Sequence, residues 1–223
     1  MRARLQTRLK EGLLSLGLDF SVLQQKQLLD YLALLSKWNK VYNLTAICNE
    51  DEMLTHHLLD SLAVIAPLQK HLFAAQPIAA RVLDVGAGAG LPGVVIAICL
   101  PDVVVVCVDA VGKKASFVKQ VAAELGLKNL QGLHSRVEAL TRIIVSEGFD
   151  VITSRAFAAL GDFVALTKTC LKLPSGVWMA MKARGVGEEA VNLPDDVKVF
   201  HVEPLRVPFL DEERNLVWIS RLH

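Results

Sequence analysis

Little in the 223-residue sequence is of the kind that builds a metal centre or a covalent framework. Its four cysteines, Cys48, Cys99, Cys107 and Cys170, are scattered, with no CxxC or Cys/His spacing among them. That leaves no basis for a zinc ribbon or a disulfide scaffold, and the expectation is buried thiols in a reducing compartment and no metal site. Excess charge is missing too: 24 Lys and Arg face 23 Asp and Glu, a net charge of +1. A polyanionic partner would have to be met by a local basic patch rather than by the field of the whole molecule. No apolar run is long enough to cross a bilayer. The stretch "VVIAICLPDVVVVCV" is cut by Pro101 and Asp102, leaving pieces far below the roughly 20 residues a spanning helix needs. The N-terminal "MRARLQTRLKEGLLSLGLDF" imitates a secretion signal, but Glu11 breaks the pattern. Leu5, Leu9, Leu13 and Leu16 recur there at helical spacing instead. The expectation is a cytoplasmic protein with no membrane partner.

What is present falls into two rhythms within one domain, 1–223. Residues 1–74 read as a helical cap. Ser21 is suited to cap a second helix carrying Val22, Leu28, Leu29, Leu32, Leu35 and Trp38 on one stripe, and a third is expected from about Asp51 to Ala66, ending before Pro67. From there to the C-terminus (75–223) short β-rich runs alternate with helical segments. "RVLDV", "VVVVCVDA", "NLQGLH", "FDVITSRA", "GVWMAMK", "VKVFHVEPL" and "NLVWISRL" are the strands. Helices fall near Pro92–Leu100, Lys113–Leu125, Val137–Ile144 and Leu160–Leu171. Continuously apolar strands such as Val103–Val108 require a sheet covered on both faces. The alternation predicts a Rossmann-like, doubly wound, mostly parallel α/β sheet of seven strands. Its last two strands suit an antiparallel hairpin at one edge.

"VLDVGAGAGLPG", Val82–Gly93, is the first turn of that sheet. Ligands of doubly wound sheets bind beyond the carboxyl ends of the strands, beside the first strand, where strand order reverses. Gly86, Gly88 and Gly90 allow close backbone approach and positive φ, Pro92 suits the first turn of the next helix, and the helix start offers N–H groups. Asp109 closes the second strand roughly 20 residues beyond Gly86, where a carboxylate can bind both hydroxyls of a ribose. Together these point to an adenosine-containing ligand. A dinucleotide fingerprint fits imperfectly, because Leu91 stands where the third glycine belongs. Asp84, just before the turn, would repel a pyrophosphate and suit a cationic ligand such as the sulfonium of S-adenosylmethionine.

The segment "DVGAGAGLPG" resembles the first motif of class I S-adenosylmethionine-dependent methyltransferases. Together with "KWNKVYNLTAI", "HHLLDSL", "VDAVGKKASFVKQV", "HSRVEAL", "SRAFAAL" and "ERNLVWI", in that order along nearly the whole chain, it resembles the family of ribosomal RNA small subunit methyltransferase G, also called glucose-inhibited division protein B. The resemblance implies methyl transfer from S-adenosylmethionine to N7 of one guanine in 16S ribosomal RNA. It implies that Gly86 and Leu91 line the cofactor pocket, that Asp109 holds the ribose, and that Val137 and Glu138 flank the adenine. Arg155 of "SRA" would stand at the pocket mouth, touching the cofactor carboxylate, an RNA phosphate or guanine O6 rather than N7. Ala110, in place of a common Ser, and Ala183, in place of the usual Gly after Lys182, depart from the family pattern.

Guanine N7 carries a lone pair and no proton, so no catalytic base is required; alignment and directed dipoles lower the barrier. RNA would be gripped by Lys113, Lys114, Arg136, Lys182 and Arg184, with Lys119 a weaker candidate. His56 and Asp60 stand four apart and could pair on one helix face, without a third ligand for a metal. Trp38 and Tyr42 read first as core packing and second as a base-stacking pair. Other readings remain open at this point: methylation of another RNA base or of a ribosomal protein, an NAD-dependent oxidoreductase, and a noncatalytic adenosine-binding module. The chain is expected to act as a monomer.

Overall fold

The computed structural model describes residues 2–75, 79–140, 147–183 and 185–222. The helical segments begin with α1 (Arg2–Ser15) and α2 (Val22–Tyr42). Ser21 caps α2 as expected: its side chain accepts from the Gln24 amide while the Gln24 side chain returns to the Ser21 amide, a reciprocal capping box. Leu28, Leu29, Leu32 and Leu35 form the buried stripe, but Val22 is 85% exposed.

The third helix is not regular. A short α3 (Glu50–Met53) runs into a π-helical stretch, Leu54–Leu59, then α4 (Asp60–Leu62) and α5 (Ile65–Ala75). Pro67 does not end a helix; it sits in the first turn of α5, where its missing N–H costs nothing.

The sheet has seven strands in the order β3-β2-β1-β4-β5-β7-β6. They are β1 (Arg81–Val85), β2 (Val104–Asp109), β3 (Leu130–His134), β4 (Val151–Arg155), β5 (Val177–Lys182), β6 (Val197–Pro204) and β7 (Asn215–Arg221). All neighbours pair in parallel except β7, which is antiparallel to both β5 and β6. Strand order reverses between β1 and β4, as a doubly wound fold requires.

The unbroken apolar strands are explained by two cores. Val82, Val105 and Cys107 enter one cluster with the N-terminal helices, α6 (Gly93–Cys99) and α7 (Gly112–Leu125). Leu83, Val85, Val106 and Val108 enter another with α8 (Leu160–Thr167) and Trp178. Successive residues of a strand point to opposite faces, so each strand supplies both. Each fully buried aliphatic side chain contributes roughly 1.5–3 kcal/mol. A short α9 (Val186–Val191), with no fully buried residue and only Val186 packed against the second core, was not legible in the sequence. Of the helix expected over Val137–Ile144, a 3-10 turn at Val137–Ala139 is present, and residues 141–146 lie outside the described residues. Cys99, Cys107 and Cys170 are buried as anticipated, but Cys48 is exposed on the loop after α2.

Candidate active site

The turn after β1 is built from glycines at positive φ: Gly86 at 64°, Gly88 at 59° and Gly90 at 83°. At Gly86 a Cβ would also meet the Phe157 ring at 2.4 Å, so nothing larger fits without moving that ring. Gly93 has a different task. A Cβ there would lie 2.4 Å from Cys107 Sγ and 2.8 Å from Asp84 Oδ2, so Gly93 lets α6 pack directly on β1 and β2. The packing role that a fingerprint gives to its third glycine is thus carried two residues beyond Leu91.

Six of the turn's amide groups are engaged within the protein. Gly86 and Ala87 donate to the Val108 carbonyl at 2.9 and 3.2 Å, Gly90 and Leu91 to the Ala87 carbonyl, and Gly88 to Asp109 Oδ2 at 2.9 Å. The Gly93 amide donates to Asp84 Oδ2 at 2.8 Å. Of the N–H groups expected to be free at the helix start, those of Gly93 and Val94 are engaged, the second by the Gly90 carbonyl at 2.7 Å. With so many of these donors turned inward, the turn is a poor cradle for a pyrophosphate.

Asp84 itself is fully buried behind the turn and lines neither of the cavities described next. Burial pushes its carboxyl up to about 7, partly offset by the Gly93 amide and by Arg155. The expectation of a direct cofactor contact is corrected accordingly: this carboxyl holds the turn onto α6.

Two cavities meet at Gly86, which forms part of both walls. The smaller, of about 320 Å³, is closed by Val108, Asp109, Val137, Glu138, Phe157 and Leu166. It is a mainly apolar slot with two carboxylates, Asp109 and Glu138, in its wall. Asp109 is 8% exposed, accepts from Gly88 and Val111 amides, and has Lys114 Nζ at 4.0 Å. The larger cavity, of about 640 Å³, runs past Gly88 and Leu91 to a rim made by Arg155, Arg214, His57 and Thr45. Ala156, at φ 53°, bends the chain immediately after β4 so that it lines this cavity beside Arg155.

Arg155 is held from behind. Its Nη1 donates to the His56 carbonyl at 2.8 Å and to Asp60 Oδ2 at 3.1 Å, and its Nη2 approaches His57 Nδ1 at 3.5 Å. Asp60, 2% exposed, takes a second arginine on its other oxygen, Arg214 Nε at 2.9 Å. The His56–Asp60 pair expected from α-helical spacing is absent, because the segment is π-helical there and residues four apart no longer align. Asp60 pairs instead with the two arginines. Burial, and then Arg155, push the His57 imidazole down to about 4, so it is neutral at physiological pH. Thr45, Arg214 and the bracing role of Asp60 escaped the sequence reading. All three lie inside quoted motifs ("NLTAI", "ERNLVWI", "HHLLDSL"), but their meeting depends on strand order, which spacing does not reveal.

The basic candidates separate. Lys113 and Arg136 are exposed, and Lys114 lines the larger cavity. Lys182 lines it too, with its Nζ bound to the Ala158 carbonyl and to Glu189, each at 2.7 Å, which leaves one of its three N–H donors for another partner. Arg184 lies outside the described residues. Trp38 packs at 5.4 Å on Phe117 of α7, as core packing requires, with Tyr42 at 4.9 Å on its other side. Among the described residues no group of three or more His, Cys, Asp and Glu is placed to hold a metal ion, and no helix is long and apolar enough to cross a membrane.

Comparison with known proteins agrees with this architecture. Two curated relatives named ribosomal RNA small subunit methyltransferase G are each 56% identical to the chain. That of Methylibium petroleiphilum aligns over 213 residues, covering 96% of this chain and 93% of the relative. That of Acidovorax sp. strain JS42 aligns over 217 residues, 95% and 93%. Among solved structures, a Burkholderia thailandensis 1,6-didemethyltoxoflavin-N1-methyltransferase with bound S-adenosylhomocysteine superposes with a TM-score of 0.59 at 17% identity, covering 87% of this chain and 90% of that one. A SAM-dependent methyltransferase from Aquifex aeolicus gives 0.52 at 16%, covering 73% and 93%. At such identities these two speak for the fold alone. The family described as GidB, rRNA small subunit methyltransferase G, matches residues 24–217, and the chain belongs to it.

Proposed function

We propose that the protein transfers the methyl group of S-adenosylmethionine to N7 of one guanine in 16S ribosomal RNA, in the cytoplasm where that RNA is assembled. The observation that carries this reading is the pairing of an apolar slot edged by Asp109 with an arginine-rimmed cavity, joined at Gly86, in a chain of this family.

The residues fit the cofactor. The smaller slot suits adenine between Val137 and Phe157, with Glu138 at its edge. Each Asp109 oxygen accepts one backbone N–H and keeps a lone pair for a ribose hydroxyl. Gly86, Gly88 and Leu91 leave room for the methionine portion. The bound cofactor supplies a methyl carbon made electrophilic by its positively charged sulfur.

The protein's task is then alignment. Both oxygens of Asp60 are engaged by arginines, and both ring nitrogens of His57 have partners, so neither group is poised as a base. N7 of guanine needs none. Arg155 keeps N–H groups beyond those given to Asp60, His56 and His57, which suit the carboxylate of the cofactor or an RNA phosphate. Lys113, Lys114 and Arg136 suit phosphates around the same rim, and Arg184 is retained as a candidate from its sequence position. A second reading, methylation of another RNA base at a group that must lose a proton, rests on His56, whose side chain lines the larger cavity.

Mapping methylated nucleotides in small-subunit RNA from cells with and without the protein tests the reading. A single N7-methylguanine that disappears with the protein is expected; a methyl at another atom favours the second reading. Calorimetry adds a check: Asp109→Ala should weaken S-adenosylmethionine binding by roughly 10–100-fold, the scale of one or two charge-assisted hydrogen bonds. Undiminished binding would remove Asp109 from the site.

A further inference from the structure

Thr45, on the loop after α2, lines the larger cavity, and its hydroxyl makes two polar contacts inside the protein. It accepts from the Ile47 amide at 3.2 Å, and it lies 2.7 Å from His57 Nε2. Which way the second bond runs depends on the imidazole tautomer. On the other side of the ring, Nδ1 meets Arg155 Nη2, and a guanidinium can only donate. With Nδ1 as the acceptor of that 3.5 Å bond, the proton of the neutral ring sits on Nε2, and Nε2–H donates to Thr45. Both lone pairs of the hydroxyl are then used. Its only remaining capacity is to donate, from a residue of the cavity wall.

The loop is itself fixed. Asn39 Oδ1 accepts from the Thr45 amide at 2.8 Å, and Asn39 Nδ2 donates to the Ile47 carbonyl at 3.2 Å, so one buried side chain of α2 holds both ends of the turn. Donor-only character on a fixed loop distinguishes purines. Beside N7, guanine presents an acceptor, O6, whereas adenine presents an amine. A hydroxyl that can only donate favours the first and leaves an unpaired donor against the second, a discrimination larger than any apolar contact provides.

We propose that Thr45 determines base specificity by donating to guanine O6, and that Arg155 acts partly through His57, as the positioning residue that keeps Thr45 a donor. This rests on the N7-guanine reading above. Arg155 is less suited to read O6 itself, since both Nη1 contacts point back to His56 and Asp60.

The test uses small-subunit particles reconstituted with RNA carrying either guanine or 2-aminopurine, which keeps N7 but lacks O6, at the methylated position. Wild type, Thr45→Val and Thr45→Ser are compared for kcat/KM on both, with S-adenosylmethionine affinity measured separately. Wild type should prefer guanine at least about tenfold. Thr45→Ser should keep that preference, and Thr45→Val should lose it, within about threefold, by slowing on guanine alone. Equal wild-type rates on the two bases would overturn the proposal without any variant, so it stays testable even if Thr45→Val does not fold. A Thr45→Val enzyme that still prefers guanine, or that slows equally on both while losing cofactor affinity, would overturn it too. Absence of N7 methylation by wild type on guanine would instead overturn the reading on which it rests.

Discussion

Asp84 and His57 are both buried, and burial moves them in opposite directions, Asp84 up to about 7 and His57 down to about 4. Their effects on stability oppose each other. Unfolded Asp84 releases its proton near 3.8 while the folded group keeps it to about 7, so stability falls as pH rises through that window. Unfolded His57 gains a proton near 6.5 while the folded ring resists to about 4, so stability falls as pH drops through that window. The windows overlap, and between about 4 and 6.5 the two slopes largely cancel. Asp84→Asn should expose the histidine contribution: its Tm should fall more steeply than that of wild type on acidification from pH 6.5 to 4. Parallel profiles in a calorimetric pH series would contradict the assignment. At this scale the glycine turn and Asp109 were legible, because positive φ and a ribose carboxylate demand particular residue types. Asp84 was misplaced by one layer, since a sequence gives the alternation of a strand but not which of its faces a cavity opens on.

Helix α2 shows how an element can serve a site it does not line. Gln24 donates to the last carbonyls of α6, Ile98 and Cys99, both at 3.1 Å, Gln27 donates to the Leu125 carbonyl of α7 at 2.9 Å, and Tyr31 Oη donates to the Ala89 carbonyl in the glycine turn at 2.9 Å. Spaced three and four apart, the three side chains share one helical face. They satisfy carbonyls that helix ends and turns leave without partners. Tyr31→Phe strands a buried carbonyl, at a cost of about 1–3 kcal/mol, and by loosening the turn it should weaken cofactor binding as well as lower Tm. Thermal unfolding with and without S-adenosylmethionine separates the two effects; a lowered Tm with unchanged binding would confine Tyr31 to stability. The leucine stripe of α2 was legible from its period. Its polar face was not, because glutamines at helical spacing look the same whether they meet water or a neighbouring carbonyl. The π-helical turn was equally invisible, as no residue type marks it.

Across the whole molecule, one apolar cluster runs without a break from Leu5 and Leu9 through α2 and α5 to Val82, Val105 and Met179 of the sheet. We read the cap and the α/β part as one cooperative unit. A chain starting at residue 79 would expose the apolar surface of α6, α7 and the sheet that the N-terminal helices cover, and it should be insoluble or lack a cooperative melting transition; a soluble fragment with a sharp transition would divide the protein in two. The strand and helix alternation that betrayed the sheet says nothing of this, because it records local rhythm and not which face the first helices cover. Strand β7 carries a last implication. Running against its neighbour, it brings its beginning, not its end, to the ligand side, with Asn215 opposite Lys182 and Arg214 just before it. A hairpin therefore supplies part of a wall that an all-parallel design would assemble only from strand termini. Lengthening or recharging residues 205–213 would let a lineage re-tailor the rim of the larger cavity while every hydrogen-bonded register in the sheet stays as it was.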